Sequence, residues 1–340
     1  TKNILVHQKD VAGNTSADST FTFTLDTQAP NTTVSTVSFS SDTGTSSADF
    51  VTNTASQTIT GTLSATVATG EVVKVSLDNG TTWSTATTTV GANTYSLSGV
   101  TLTASNTLRV RVEDAAGNAG TAKTQGYTLD TTAASPTVGL ASDTGTSSSD
   151  KTTNIGTVTV TGLESGATWE YSTNNGSTWT TGSASSFSVS GDGVKTVLVR
   201  QTDVAGNTSS AQSLSFTLDT TAASPTLTLA SDTGTSSTDK TTNNGTVTVS
   251  GLESGATYQY SLDNGTTWTT GSGSSFALTG DGSKSVVVRQ TDVAGNTSAT
   301  STALSFTLDT TAPTTTVSTV VFSNDTGTSA PDFNTNTALV

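Results

Sequence analysis

With 340 residues the chain exceeds one ordinary domain of roughly 100 to 150, and its 82 Thr and 50 Ser, beside few Leu, Glu and Lys and no Met, exclude a helical protein and argue against a single large core. Twelve basic residues against 26 acidic ones give a net charge of −14, so the chain repels phosphate backbones and anionic membranes, and neither a nucleic-acid partner nor membrane insertion is expected. With no Cys and one His, thiol catalysis, Cys-ligated zinc, disulfides and a repeated His-based triad are excluded, so any site must be built from oxygen atoms.

Taken in chain order, residues 1–27 carry Asp-Val-Ala-Gly-Asn at Asp10 and Leu-Asp-Thr at Asp26, and read as the C-terminal part of a short-type repeat. A start at Thr-Lys-Asn, with neither initiator Met nor signal peptide, reads as a window from something longer. Residues 28–131 form a long-type repeat, entered through Gln-Ala-Pro and Val-Ser-Thr-Val-Ser-Phe. Segments 132–220 and 221–310 are close copies of a short type, both entered through Leu-Asp-Thr-Thr-Ala-Ala-Ser-Pro. Residues 311–340 open as residues 28–131 do, and read as the N-terminal part of the next long-type repeat. The Leu-Asp-Thr acids Asp26, Asp130, Asp219 and Asp309 are 104, 89 and 90 residues apart, so the full period from Asp26 to Asp309 is 283 residues.

Within 221–310 apolar and polar residues alternate with period two, which predicts seven strands centred on 225–230, 246–250, 257–262, 266–270, 275–279, 285–291 and 303–308. One face supplies Leu227, Leu229, Val247, Val249, Tyr258, Tyr260, Trp268, Phe276, Leu278, Val286, Val288, Leu304, Phe306 and Leu308, enough for a small sandwich core. Seven short strands in about 90 residues, punctuated by Asn-Gly and Ala-Gly-Asn turns, match an immunoglobulin-like pattern without its cysteines. The expected fold is all-β: tandem immunoglobulin-like seven-strand β-sandwich domains arranged as an elongated rod. Pro30, Pro136, Pro225 and Pro313 stiffen the entry to each repeat.

The acids recur in turns. Asp-Thr-Gly-Thr-Ser-x-x-Asp-x-x-x-Asn places Asp42, Asp49 and Asn53 in the first loop, Asp143, Asp150 and Asn154 in the second, Asp232, Asp239 and Asn243 in the third, and Asp325, Asp332 and Asn336 in the fourth. In an antiparallel sandwich this loop lies at the end where the chain exits through Asp130, Asp219 or Asp309. The Asp-(Val/Ala)-Ala-Gly-Asn turns at Asp114, Asp203 and Asp292 lie at the opposite end, facing the preceding domain's cluster. Converging carboxylates repel one another unless neutralised. Ca²⁺, which takes six to eight oxygen ligands and accepts amides and carbonyls as well as carboxylates, is the expected cofactor at these junctions. The alternative is that Asp, Asn, Ser and Gly cap backbone groups as turn formers.

Ser-Asp-Thr-Gly-Thr-Ser-Ser-x-Asp, Leu-Asp-Thr-Thr-Ala and Asp-Val-Ala-Gly-Asn-Thr-Ser resemble the bacterial Ig-like repeats of giant calcium-binding surface adhesins, over essentially the whole chain. The resemblance implies a calcium-stiffened, non-enzymatic stalk, exported by type I secretion to the bacterial surface and used in adhesion and biofilm formation. Its partners would be adjacent repeats of the same chain, with the host or surface ligand met through regions outside this window. The rival reading is a self-assembling filament or sheath of further copies joined by edge strands. A carbohydrate-binding module is a third, tested at Trp169, for which core packing is the competing role.

Other motifs are discounted. Ser76-x-Asp78-x-Gly80-x-Thr82-Trp83 and Ser261-x-Asp263-x-Gly265-x-Thr267-Trp268 fit the Asp-box pattern, but Asn-Gly supplies a type I′ hairpin and the third copy has Asn174. Glu164 and Glu253 belong to different domains and read as solvated turn residues instead of a catalytic pair. His7 stands where the complete repeats have Arg200 and Arg289, on a strand surface.

Overall fold

The computed structural model describes residues 1–318; the expected ligands Asp325, Asp332 and Asn336 lie outside the described residues. The described chain is all-β. Residues 1–27 hold an antiparallel pair, β1 (Lys2–Val6) and β2 (Ser19–Phe23), with Lys2 opposite Phe23. Residues 28–131 hold β3 (Ser38–Phe39), β4 (Val51–Thr52), β5 (Ser56–Thr62), β6 (Val72–Ser76), β7 (Ser84–Thr85), β8 (Thr87–Thr88), β9 (Thr94–Thr101), β10 (Asn106–Glu113) and β11 (Lys123–Leu129). They pair as two sheets, β3-β5-β9-β8 and β4-β11-β10-β6-β7.

The short repeats have one strand fewer. In 132–220 these are β12 (Thr137–Leu140), β13 (Thr152–Thr153), β14 (Thr157–Thr161), β15 (Thr168–Ser172), β16 (Thr180–Thr181), β17 (Ser186–Ser188), β18 (Gly193–Thr202) and β19 (Gln212–Leu218), ordered β12-β14-β17 and β13-β19-β18-β15-β16. In 221–310 they are β20 (Thr226–Leu229), β21 (Thr241–Thr242), β22 (Thr246–Ser250), β23 (Thr257–Ser261), β24 (Thr269–Thr270), β25 (Ser275–Ala277), β26 (Gly282–Thr291) and β27 (Leu304–Leu308), with the same order. Each sandwich thus has more than the seven strands expected. The extra element common to all three is a two-residue strand, too short to show alternation, that runs parallel to the last strand: β4 with β11, β13 with β19, β21 with β27; the long type has one further strand.

Alternation explains the cores. In β22, Thr-Val-Thr-Val-Ser turns Val247 and Val249 inward, while Thr248 pairs with Thr228 and Ser275 on the outer face. Val247, Val286, Leu304, Phe306 and Leu308 form one buried cluster, and Val249, Tyr258 and Val288 a second. Each such side chain contributes about 1.5 to 3 kcal/mol relative to exposure. Tyr260 stacks on Phe276 with centroids 4.0 Å apart. Trp268 is not part of this core: it lies half-exposed on the outer face of the five-stranded sheet beneath Arg289, 4.0 Å from the guanidinium. Trp169 is a core residue, 4% exposed, with its indole N–H donating to the Ala184 carbonyl.

By Cα packing the chain divides into two units: residues 1–141 with 156–190 and 194–216, and residues 142–155 with 191–193 and 217 onward. The Asp143–Asn154 loop therefore belongs to the same unit as repeat 221–310.

Candidate junction site

The two-residue parallel strand positions the Asp-x6-Asp-x3-Asn loop at the chain's exit. In the first repeat Thr128 N donates to Phe50 O and Asp130 N to Thr52 O; in the second Thr217 N donates to Lys151 O and Asp219 N to Thr153 O; in the third the donors are Thr307 and Asp309 and the acceptors Lys240 and Thr242. To enter that strand the chain passes through a left-handed residue, Phe50 (φ 63°), Lys151 (φ 61°) or Lys240 (φ 60°). A bulky residue there costs about 1 to 2 kcal/mol. The leading acid offsets it: Oδ2 of Asp42, Asp143 and Asp232 accepts from the strained residue's N–H at 3.0, 2.9 and 2.9 Å. Sequence reasoning missed these three residues, because nothing in their side chains marks a positive φ.

A threonine is the hub of each loop. Thr43 Oγ1 lies 3.1 Å from Asn53 Oδ1 and accepts from Asn53 N at 2.8 Å. Thr144 stands at 2.9 and 2.8 Å from the same atoms of Asn154, and Thr233 at 3.0 and 2.8 Å from those of Asn243. The hydroxyl also reaches the next repeat. Thr43 donates to Ala205 O and Thr144 to Ala294 O, both at 2.7 Å. Thr45 N donates to Val204 O at 3.2 Å, and Thr146 N to Val293 O at 3.1 Å. This approach requires glycine: a Cβ on Gly44 or Gly145 would stand 1.9 Å from Val204 O or Val293 O, and φ is 90° and 92° there. The facing turn reciprocates. Asn207 Nδ2 donates to Asp130 O at 2.9 Å, Asn296 to Asp219 O at 2.8 Å, and Asn118 to Asp26 O at 3.2 Å.

The expected ligands are thus distributed over distinct tasks. Asp114, Asp203 and Asp292, like Asp10, which is not among the expected ligands, direct their carboxylates into their own turns, Oδ1 to the N–H and Oδ2 to the amide of the Asn four residues on. These bonds hold the Asp10 and Asp114 carboxyls below the usual range, the Asn14 and Asn118 side chains contributing most. What faces the preceding domain is the Asn and two backbone carbonyls. Asp26, Asp130, Asp219 and Asp309 cap the N–H two residues on with Oδ1, as do Asp49, Asp150 and Asp239. Among the described residues no group of three or more acidic or imidazole side chains is placed to hold a metal ion. Oδ1 of Asp42, Asp143 and Asp232 is buried without a hydrogen-bond partner, in all three loops alike.

A further acid acts at the exit. Thr220 donates through N and Oγ1 to Asp192 Oδ1 at 3.0 and 2.7 Å, and Thr310 to Asp281 Oδ1 at 2.8 and 2.7 Å. Thr310 and Thr311 lower the Asp281 carboxyl to about 2. Glu164 and Glu253 are latches, not merely solvated turn residues: Oε1 accepts from Ala134 N at 2.8 Å and from Ala223 N at 2.7 Å. The Asp-box hairpins are self-contained, Asp78 accepting from Ser76 Oγ and from Thr82 N and Oγ1, and Trp83 donating to Gly80 O. The Thr82 and Thr267 side chains hold Asp78 and Asp263 at about 2.

The bacterial Ig-like domain family matches over residues 28–131, 132–220 and 221–310. No curated protein matches the chain. Among solved structures, the Clostridium thermocellum CbhA fibronectin(III)-like modules are 15% identical, covering 54% of this chain and 94% of theirs with a TM-score of 0.29. Chicken CNTN1 FN1–FN3 is 10% identical, covering 80% and 97% with a TM-score of 0.28. The titin I67–I69 fragment is 10% identical, covering 80% and 97% with a TM-score of 0.35. With three successive matches over most of its length, and sandwiches of the kind that typically serve as non-catalytic structural modules, the chain belongs to the bacterial Ig-like domain family.

Proposed function

We propose that the chain is a non-enzymatic extender segment of an extracellular bacterial surface adhesin, whose work is to hold an adhesive region away from the cell. The observation that carries this reading is the repeated junction. Thr43, Thr45 and Asn207 join 28–131 to the turn of the next repeat, and Thr144, Thr146 and Asn296 do the same one repeat later, through the same atoms at nearly the same distances. A domain that recognised a ligand alone would need no such fixed handover.

Calcium is the second part of the proposal. A buried carboxylate oxygen with no donor is costly, and a hard cation is the partner that relieves it. Oδ1 of Asp42, Asp143 and Asp232 fits that requirement. Asp49 and Asn53, Asp150 and Asn154, or Asp239 and Asn243 supply further oxygens from the same loops. That Asp232 repeats the feature inside 221–310 supports a site within the loop itself. A bound ion would stabilise the folded loop by mass action.

Small-angle scattering and thermal unfolding of the 340-residue chain test both parts, comparing wild type with the T43V/T144V double variant, each in calcium and in chelator. The extender reading expects the double variant to keep its sandwiches and gain interdomain flexibility. The calcium reading expects a higher Tm with calcium, lost on chelation. A scattering curve that ignores the double substitution defeats the first, and a Tm indifferent to calcium defeats the second.

A further inference from the structure

The outer face of the five-stranded sheet in 28–131 differs from its counterparts in a way the extender role does not use. Strands β6 and β10 place Lys74 directly opposite Arg111, and Arg109 opposite the buried Ser76, with the three cations on the outer side of a sheet whose inward residues are Val73, Val75, Leu108, Val110 and Val112. Like charges facing each other across strands are destabilising. The short repeats avoid the conflict. Arg200 faces Glu170, which accepts from it at 2.9 Å, and Arg289 faces Gln259, which accepts at 2.9 Å. The position of Arg109 is Leu198 in one short repeat and Val287 in the other. Only the Arg-on-Trp stack is common, with Arg111 3.9 Å from Trp83, Arg200 4.0 Å from Trp179 and Arg289 4.0 Å from Trp268.

Of the three cations on this face, Arg111 is answered by Glu113 at 2.5 Å, and Lys74 donates to Thr85 Oγ1 at 2.8 Å. Arg109 is answered by nothing: its Nε is buried without a partner, and among the described residues no acceptor is hydrogen-bonded to its guanidinium. The nearest other acid of the hairpin, Asp78, is committed to Ser76 and Thr82. Besides facing each other, these cations have exposed hydroxyls beside them, Thr85 opposite Lys74 and Thr124 opposite Arg109, while Ser76, the other neighbour of Arg109, is buried beneath it. The result is a small cationic, aromatic and hydroxyl-rich face on a chain of net charge −14.

From this juxtaposition of an unanswered Arg109, Lys74 and the Arg111–Trp83 stack we infer that residues 28–131 carry a binding face for an anionic glycan, its carboxylate or sulfate taken by the Arg109 fork. The guanidinium fork matches the geometry of an oxyanion. The half-exposed indole and surrounding hydroxyls suit a sugar ring beside it. Three cations are too few to hold a polyphosphate against the charge of the whole chain. The competing role for Arg109 is packing, its aliphatic stem lying over the Gly80 turn, where a Cβ would meet Arg109 Cδ at 3.5 Å.

The molecule's own repeats supply substitutions that separate the two. Arg109→Leu and Lys74→Gln install the residues that 132–220 and 221–310 carry at those positions. The experiment titrates the full chain, in chelator, with polygalacturonate, with dextran sulfate, with neutral dextran and with a single-stranded oligonucleotide, at low and physiological salt. The expected result is binding of polygalacturonate or dextran sulfate but not dextran, weakened at least tenfold by R109L and further by R109L/K74Q, with Tm unchanged. The arm that binds identifies carboxylate or sulfate as the group. Equal binding by wild type and double variant, no binding to either acidic glycan, or equally tight binding of the oligonucleotide each overturns the proposal.

Discussion

The long-type repeat 28–131 and the short-type repeat 221–310 solve the same packing problem with different residues. On the last long strand but one, the long type buries Val112 (1% exposed) where the short type buries Gln290 (0%). Gln290 is not a tolerated polar residue but a tie: Nε2 donates to Ala223 O at 2.7 Å and to Gly251 O, and Oε1 accepts from Glu253 N at 2.9 Å. It fixes the incoming linker to the Leu-Glu-Ser-Gly loop. In the long type Glu71 holds the corresponding region through Ala68 N and Thr32 Oγ1, and edge-on Phe39, Phe50 and Tyr127 rings close the core at the opposite, exit end. The junction loop, by contrast, is the same in both. The two repeats fill this part of the fold in different ways but keep one junction-loop geometry.

The largest effect should come from forcing one solution on the other repeat. Gln290→Val installs the long-type residue but strands the Glu253 N–H and the Ala223 carbonyl, at a cost of about 3 to 5 kcal/mol. Val112→Gln buries an amide with no partners and costs about 2 to 3 kcal/mol. Thermal unfolding of the two variants checks this, and a neutral Gln290→Val would break the comparison by showing that the tie is dispensable.

Next comes the shared loop. Gly145→Ala combines a left-handed φ with a methyl 1.9 Å from Val293 O, and should cost about 3 kcal/mol, confined to the junction. Hydrogen exchange at the Thr146 amide would report it, with the Val247 amide as an unaffected core reference. Thr144→Val removes the donor to Ala294 O and the acceptor for Asn154 N and should cost about 1 to 2 kcal/mol. Thr43→Val should match it within error, since the two junctions are built alike; a large inequality would mean that the repeats are not equivalent.

These variants probe features that differed in how visible they were in the sequence. The strands of 221–310 were legible because side chains alternate over five or more residues, as in Thr246–Ser250. The Asn-Gly hairpins were legible because Asn79 and Asn264 take up positive φ in a dipeptide that announces it. The parallel strand Thr241–Thr242 was not, being two residues long, nor was the left-handed Lys240, whose strain is relieved by an acid eight positions earlier. Alternation alone puts Trp268 in the core, but it precedes the strand Thr269–Thr270, whose register sets Thr269 opposite Tyr260, and it lies under Arg289. Nothing in the sequence marks Gln201 and Gln290 as buried ties, because their three partners are distant in sequence. The meeting of the Asp143 loop with the next Asp-Val-Ala-Gly-Asn turn followed from strand parity. Which atoms meet there, carbonyls and amides in preference to the Asp292 carboxylate, depended on the turn's internal hydrogen bonds.

The smallest predicted effect is one of pH, and it contrasts the three Asp-box hairpins. The Asp78 and Asp263 carboxyls are lowered to about 2, chiefly by the Thr82 and Thr267 side chains. A carboxyl whose folded value lies below the unfolded value of about 3.9 contributes stability that is fully present above the latter. That contribution is lost as pH falls from about 4 through about 2. In the third copy Asn174 makes the same bonds without a titrating group, accepting from Thr178 N and donating to Thr178 Oγ1. Amide shifts of Gly80 and Gly265 should therefore move together in acid while Gly176 stays still, and Asn174→Asp should bring Gly176 into line with the other two. If Gly176 titrated with them in the unsubstituted chain, the hairpins would be responding to a change in the sandwich beneath them and not to their own aspartates.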